Sequence, residues 1–108
     1  MTGLQKIDIT MIYKIEITED AKIDLSFFKV HERKTILRSV KEKLSYEPLK
    51  ETKNRKKLRN NPVAPWELRI GSYRVFYEVD NNSVKVIIIS VGNKEHNILF
   101  IRGKRVKI

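Results

Sequence analysis

The chain contains no cysteine among its 108 residues, and this absence excludes several kinds of chemistry. Without thiols there are no disulfides, no cysteine nucleophile and no zinc site built on sulfur. The two histidines, His31 and His96, give no spacing that a metal site would use. The sequence therefore offers no site for a metal or another cofactor.

Long apolar runs are also missing, since no stretch approaches the roughly 18 to 20 residues that cross a bilayer. The first residues, Met1 to Thr10, lack the basic-then-apolar layout of a signal peptide. The sequence contains no internal repeat and no low-complexity segment. These absences lead us to expect one small globular domain, located in the cytoplasm and without a membrane partner.

Acidic residues are few relative to basic ones, with 13 Asp+Glu against 23 Lys+Arg and a formal net charge of +10. Much of the excess lies between Lys29 and Arg59, where 12 basic residues stand beside 4 acidic ones. A second cluster, Arg102 to Lys107, contains no acidic residue. A positive field of this size favours a polyanion such as nucleic acid, or an acidic protein partner. Solvated lysine-rich surfaces without a partner are the alternative interpretation.

The first half of the chain predicts a strand and then a helical hairpin. Alternation over Ile12 to Ile17 predicts the strand. Thr18 or Asp20 can cap a first helix, because a short side-chain oxygen accepts from free backbone N–H groups. The buried stripe of this helix is expected to contain Ile23, Phe27 and Phe28.

A second helix is predicted from His31 to Tyr46, with Pro48 ending it. The prediction rests on apolar residues that recur at spacings of three and four, with basic residues on the other side. These apolar residues are Ile36, Leu37, Val40 and Leu44.

The second half predicts a polar loop followed by an antiparallel sheet. Lys50 to Pro65 is basic and reads as a loop. Strands over Trp66 to Ile70, Tyr73 to Val79 and Val84 to Val91 form a three-strand meander, with the last strand central in the sheet and ended by Gly92. The tail is expected to hold a short helical or irregular stretch, Asn93 to Asn97, and a small hairpin of Leu99 to Ile101 against Arg105 to Ile108 across Gly103-Lys104.

Two segments of this meander resemble a known family. Leu68 to Val79 reads LRIGSYRVFYEV, and Ile89 to Lys94 reads ISVGNK. Together with the order of elements, these two motifs resemble those of the RelE/ParE toxin superfamily, and the resemblance covers about Met11 to Phe100. The resemblance implies an α+β domain with one small sheet, the RelE-like microbial RNase fold, over residues 11–108. Met11 looks like the first residue of such a toxin, which makes residues 1–10 an N-terminal extension.

The resemblance also implies the toxin half of a type II toxin–antitoxin pair, held inactive by a separate and acidic antitoxin. RelE-like members are metal-independent endoribonucleases that cleave mRNA at the ribosome and so inhibit translation. ParE-like members are not nucleases and poison DNA gyrase. A degenerate toxin that only binds its antitoxin is a further alternative. The fold alone does not choose among these activities.

By this resemblance, Arg74 stands where RelE-like enzymes carry a phosphate-stabilising arginine. The role suits arginine because its planar fork meets two phosphate oxygens and its charge does not titrate away. The alternative is that Arg74 only pairs with Glu67 or Glu78, or contacts a carboxylate of the antitoxin. Lys94 and His96 follow the VG turn, where the family places basic and proton-transferring residues, but Phe100 replaces a tyrosine found in one branch and cannot transfer a proton.

The strand entering the site departs from the family in a second way. One RelE branch has two lysines where this chain has Pro65 and Glu67, so a lysine base is absent. Glu67 is a candidate general base, with an ion pair to Arg69 or Arg74 as its structural alternative. The remaining cations are expected to bind the RNA backbone rather than its bases. They are Arg69, Lys53, Arg55, Lys56, Lys57 and Arg59.

Overall fold

The structure, a computed structural model, describes residues 11–107, so the predicted N-terminal extension lies outside the described residues. The described chain forms two helices, α1 and α2, and seven strands, β1 to β7. The helices are α1, Glu19–Ser26, and α2, Val30–Leu44. The strands are β1, Lys14–Ile17; β2, Arg55–Lys57; β3, Trp66–Ile70; β4, Tyr73–Asp80; β5, Lys85–Glu95; β6, Ile98–Ile101; and β7, Lys104–Val106.

One sheet contains all of these strands, in the order β2-β3-β4-β5-β6-β7, with each neighbouring pair antiparallel. β1 is parallel to the first part of β5, from Lys14 opposite Lys85 to Ile17 opposite Ile88. β6 pairs with the last part of β5. β5 therefore has neighbours on both sides, which confirms the α+β class and the central position predicted for this strand. Neither helix described between residues 11 and 107 has the length and apolar character needed to cross a membrane.

α1 begins where the sequence predicts, because the Thr18 side chain accepts a hydrogen bond from the Ala21 N–H at 3.1 Å. The predicted buried stripe is wrong for Ile23 and Phe27, which are exposed, whereas Phe28 is partly buried and packs against the core. A helix of only two turns buries one narrow face, made of residues at spacings of three and four. Here that face carries Ala21, Asp24 and Leu25.

α2 ends at Leu44, before the predicted boundary at Tyr46, and Ser45 is its C-cap. Ile36, Val40 and Leu44 are buried as expected, whereas Leu37 is exposed. Pro48 follows the end of the helix rather than causing it. Its carbonyl accepts a hydrogen bond from the buried Tyr77 hydroxyl at 2.7 Å.

The two faces of the sheet are covered differently. Both helices pack on the face that carries Leu68, Val75 and Tyr77. Because side chains alternate along a strand, Phe76 points to the opposite face, which we call the open face. A smaller apolar cluster covers part of the open face, formed by the chain before β3 and by the C-terminal hairpin β6–β7; it contains Leu58, Val63, Ala64, Phe76, Ile89, Leu99, Ile101 and Val106.

Two predictions about loops are wrong. Lys50 to Pro65 is not entirely a loop, because β2 pairs with β3 and places Lys56 opposite Glu67. β5 does not end at Gly92 but continues to Glu95, which replaces the expected helical or irregular stretch. Glycine is required at position 92 because a Cβ there would collide with the Phe100 carbonyl and the Ile101 side chain on β6.

The predicted C-terminal hairpin is confirmed, with its turn one residue earlier than expected. The turn residues are Arg102 and Gly103, and both have positive φ, 54° and 73°. His96 and Asn97 form the turn between β5 and β6 in the same way, with φ of 51° and 66°. Two-residue turns with two positive φ values match the twist of paired strands, so both hairpins have a defined register.

Candidate functional site

The open face brings together charged residues from three adjacent strands. Glu67 and Arg69 lie on β3, and Arg69 is directly opposite Arg74 on β4. Arg74 is in turn opposite Gly92 on β5. Lys94, two residues beyond Gly92, pairs with Leu99 of the open-face cluster and so lies on the same face. The sheet register therefore groups three of the four predicted catalytic residues, together with Arg69.

The pairing of Arg69 with Arg74 places two like charges opposite each other. Cβ atoms of directly opposed residues are about 5 Å apart, and like charges at this distance oppose folding. Glu67 offsets part of this repulsion through an ion pair between its Oε2 and the Nε of Arg69 at 2.9 Å. The Glu67 side chain is only 2% exposed, so this ion pair is partly shielded from water. Arg69 thereby has a direct ion-pair partner in Glu67.

Arg74 has no ion pair within 4.0 Å among the residues the structure describes, so neither Glu67 nor Glu78 is its partner. Its Nη1 donates to the carbonyls of Gly71 at 2.8 Å and Tyr73 at 2.9 Å. These contacts hold the guanidinium against the β3–β4 turn. Its buried Nε has no hydrogen-bond partner within residues 11–107. An unpaired buried donor is uncommon in folded proteins and costs about 1 to 3 kcal/mol.

Burial lowers the pKa of Arg74 below its ordinary value, and Arg69 acts in the same direction whereas Glu67 opposes it. The guanidinium nevertheless remains charged at neutral pH, because arginine does not lose its proton in proteins. The arrangement therefore presents a fixed and partly desolvated cation that has no direct ion-pair partner among residues 11–107. Such a group is suited to binding an anionic oxygen, since electrostatic attraction is stronger where water is excluded.

His96 lies away from this group. It is exposed at the turn between β5 and β6, four residues beyond Gly92. At a rise of about 3.3 Å per residue, this separation is roughly 13 Å along the strand. The structure thus does not bring His96 beside Arg74, and its role in proton transfer stays a prediction.

The connector cations do not form one surface. Arg55 donates to the carbonyls of Lys43 at 2.7 Å and Lys50 at 3.0 Å, and so satisfies the C-terminal end of α2. Lys56 lies opposite Glu67 on the adjacent strand, beside the group on the open face. The other three predicted RNA-binding cations of the connector are exposed: Lys53, Lys57 and Arg59.

Sequence reasoning missed a buried carboxylate that positions the C-terminal hairpin. Asp24 is 2% exposed and accepts hydrogen bonds from the Ser90 hydroxyl at 2.8 Å, the Val91 N–H at 2.9 Å and the Arg102 Nε at 2.6 Å. Arg102, at the turn of the hairpin, also contacts Asp20. The sequence signal that could have indicated this buried carboxylate is the spacing of Asp24, three residues after Ala21 on the buried face of α1.

Glu32 links α2 to β4 close to the candidate site. Its carboxylate accepts from the Lys29 N–H and from the Tyr73 hydroxyl, each at 2.9 Å, and these bonds lower the pKa of Glu32. A lowered folded-state pKa stabilises the protein above pH 4.5, and the stabilisation is lost as the pH falls through the lowered value.

We expect Glu32→Gln to unfold at lower urea concentration than wild type at pH 7, with a smaller difference near pH 3. Glu42→Gln, at an exposed position of α2, is the control; an equal difference at both pH values would contradict this role of the Glu32 charge.

Comparison with known proteins identifies the family. The model of the family described as the ParE toxin of the type II toxin–antitoxin system parDE matches residues 15–98. The RelBE2 toxin–antitoxin complex of Mycobacterium tuberculosis contains a chain with 26% identity and a TM-score of 0.69, and the match covers 79% of this chain and 94% of that one. For the intact RelBE complex of E. coli, the identity is 28% and the TM-score is 0.59, and the match covers 78% of this chain and 99% of that one. The archaeal RelE–RelB complex of Pyrococcus horikoshii, at 23% identity with a TM-score of 0.62 and coverage of 80% and 99%, supports the fold alone.

The comparison with curated proteins found no match. The family match contains both segments that carry the sequence resemblance, and the similar solved structures have the same α+β fold. The chain therefore belongs to the ParE toxin family of type II toxin–antitoxin systems, within the RelE/ParE superfamily.

Proposed function

We propose that this toxin is a metal-independent endoribonuclease that binds mRNA on the open face and cleaves it at the ribosome. The observation that carries the proposal is the opposed pair of Arg69 and Arg74, of which only Arg69 has an ion-pair partner among residues 11–107. Folding alone gives no reason to place two arginines directly opposite each other in the sheet, since the pairing opposes stability. A phosphate between them and Lys94 would supply the missing negative charge.

In this proposal, Arg74 stabilises the negative charge that develops on the phosphorus during cleavage. Its orientation is set in advance by the carbonyls of Gly71 and Tyr73, so little reorganisation is needed when the charge forms. Lys94 and Lys56, on the strands to either side of the β3–β4 pair, position the RNA backbone. Glu67 is the carboxylate of this group and the candidate for accepting the proton of the 2′-hydroxyl, and Lys94 is the candidate for protonating the leaving oxygen.

We further propose an acidic antitoxin as the protein partner. The similar structures from M. tuberculosis and E. coli are complexes of a toxin with its antitoxin. In this chain, a cavity of about 450 Å³ between β1 and α2 is lined largely by apolar residues, including Ile12, Ile15 and Leu37. Lys41 lines the same cavity, and Arg38 lines the adjoining one. This combination suits an amphipathic segment with apolar and acidic side chains.

Gyrase poisoning without catalysis is the second candidate. It is favoured by the match to the ParE toxin family and by the position of His96 at an exposed turn, away from Arg74. Phe100, partly buried on β6, also leaves this strand without a proton-transferring side chain at the position of the family tyrosine.

Induced expression of the full chain in bacterial cells distinguishes the two candidates. Growth is followed together with RNA 5′ ends mapped across the transcriptome and with gyrase-linked DNA breaks. For a ribosome-dependent ribonuclease, we expect growth arrest with new 5′ ends confined to translated regions. Growth arrest with DNA breaks and no new RNA ends would instead support gyrase poisoning, and the absence of any arrest would contradict both.

A further inference from the structure

One row of residues crosses the open face from β4 to the C-terminal hairpin β6–β7. Arg74 on β4 is opposite Gly92 on β5, and Ile101 on β6 is opposite Lys104 on β7. The antiparallel register of β5 and β6, continued by one pair, places Ile101 opposite Gly92 and so joins these two pairs. A Cβ atom at Gly92 would lie 2.9 Å from the Ile101 side chain, so the two positions share a face. Lys104 therefore lies on the face that carries Arg74.

The apolar contacts of the hairpin agree with this assignment of faces. Ile101 and Val106 belong to the open-face cluster around Phe76. Lys104 is two residues before Val106 on β7, and residues two apart on a strand point to the same face. Arg105 lies between them and points to the other face. The hairpin thus contributes Lys104, and not Arg105, to the open face.

Lys104 is exposed and makes no ion pair within residues 11–107. It lines a cavity of about 720 Å³ that also contains Arg102 and the carboxylates of Asp20 and Asp24. Both carboxylates contact Arg102, at 3.4 Å and 2.6 Å. The arginine of the hairpin is thereby engaged within the protein, whereas the ammonium group of Lys104 is available to a ligand.

The row between Arg74 and Lys104 contains Gly92 and Ile101, and neither has a charged side chain. Three spacings between neighbouring strands separate the two cations, a distance of roughly 14 Å along the sheet. This distance exceeds the size of one phosphate group. Two cations arranged in this way contact different phosphates of a single strand that runs across the sheet.

The backbone of the hairpin is fixed before any ligand binds. Arg102 is anchored to the buried Asp24 at 2.6 Å, and the positive φ values of Arg102 and Gly103 define the turn that pairs Ile101 with Lys104. A charged group on a rigid support binds with a smaller loss of conformational entropy. The position of Lys104 relative to Arg74 is therefore set by the fold.

The part of the chain matched by the family model ends at residue 98, so Lys104 lies beyond it. We propose that Lys104 binds a backbone phosphate of the RNA whose scissile phosphate lies at Arg74. The RNA then crosses the strands along this row, from β4 toward the C-terminal hairpin. This inference rests on the proposed function and extends it with a second phosphate contact and a path for the RNA.

The test measures binding of the full chain to a short, fluorescein-labelled, single-stranded RNA whose 2′-O-methyl groups prevent cleavage. Fluorescence anisotropy gives the binding constant at several salt concentrations. Each phosphate contact to a single strand contributes about 0.7 to the slope of log K against log salt concentration. We therefore expect Lys104→Gln to make this slope less steep by about 0.7.

RNAs that carry one neutral methylphosphonate in place of a phosphate locate the contact. At one position of the RNA, the replacement should abolish the difference in binding between wild type and Lys104→Gln. The position at which it abolishes the difference between wild type and Arg74→Ala should be another one, because the two cations contact different phosphates.

The matched control is Arg105→Gln, which removes the same charge from the neighbouring residue on the other face of β7. Its slope should remain that of wild type. Thermal unfolding checks that both variants fold, and we expect unchanged midpoints because neither side chain makes an ion pair among residues 11–107.

Equal changes of slope for Lys104→Gln and Arg105→Gln would show an effect of net charge alone and would overturn the contact at Lys104. An unchanged slope for Lys104→Gln, with RNA bound by wild type, would overturn it as well and leave the proposed ribonuclease activity to its own test in cells. If wild type does not bind the RNA at all, both the Lys104 contact and RNA binding by the open face are wrong.

Discussion

Asp24→Ala is expected to lower the free energy of unfolding by about 2 to 5 kcal/mol, because two buried donors lose their acceptor at a cost of about 1 to 3 kcal/mol each. Asp24 accepts three hydrogen bonds, and its loss leaves the Ser90 hydroxyl, the Val91 N–H and the Arg102 guanidinium without their acceptor. Because the carboxylate joins α1 to β5 and to the C-terminal hairpin, its effect is expected to exceed that of a surface contact. Urea unfolding followed by circular dichroism measures the change.

Asp20→Ala is the matched control for Asp24→Ala. Asp20 contacts the same arginine at 3.4 Å, but its side chain is 82% exposed, so we expect a loss below about 1 kcal/mol. A thermal midpoint lowered by more than about 10 °C for Asp24→Ala alone would agree with the predicted loss. Equal and small effects of the two substitutions would show that the buried carboxylate does not hold the hairpin.

Arg74→Ala is expected to reduce RNA cleavage by about a hundred- to a thousandfold, the usual effect of removing one group that stabilises a transition-state charge. Its effect on folding should be small, because the substitution also removes the repulsion with Arg69 and the unpaired Nε. We expect the free energy of unfolding to change by less than about 1 kcal/mol. The new RNA 5′ ends in expressing cells and the urea midpoint of the purified variant are the two measurements.

Two further variants make the Arg74 result specific. Arg74→Lys keeps the charge but loses the planar fork, so we expect cleavage between that of wild type and that of Arg74→Ala. Lys34→Ala removes one positive charge from an exposed position on α2 and should leave cleavage unchanged. A large fall in the urea midpoint of Arg74→Ala would assign Arg74 a structural role. Unchanged cleavage in a folded variant would remove it from the site.

The helices and the meander are predictable because their signals are local. Thr18 caps α1, apolar spacing marks α2, and alternating residues in β3 and β4 flank the turn at Gly71 and Ser72. β2 is different, because the sequence Arg55-Lys56-Lys57 has no apolar pattern and becomes a strand only through pairing with β3. Such a strand depends on a partner and cannot be identified from its own residues.

The candidate site was predictable in part for the same reason. Alternation places Arg74 on a strand face, but its opposition to Arg69 follows from the turn register and from pairing across strands. In the sequence, Gly92 predicted the end of a strand. In the structure, it permits the close approach of β6, and β5 continues to Glu95. The bond between Asp24 and Arg102 joins residues 78 positions apart, and no local pattern encodes such a contact.

The parallel pairing of β1 with β5 has a consequence for synthesis of the protein. Lys14 is opposite Lys85, so β1 can pair with β5 only after 71 further residues have been synthesised. Contacts between such distant residues form slowly, because loop closure precedes any gain from packing. A nascent chain that stops before residue 85 lacks the strand on which β1, β4 and β6 assemble. Chains of this toxin that terminate before residue 85 should therefore be unfolded, and the open face arises only after β5 has been synthesised.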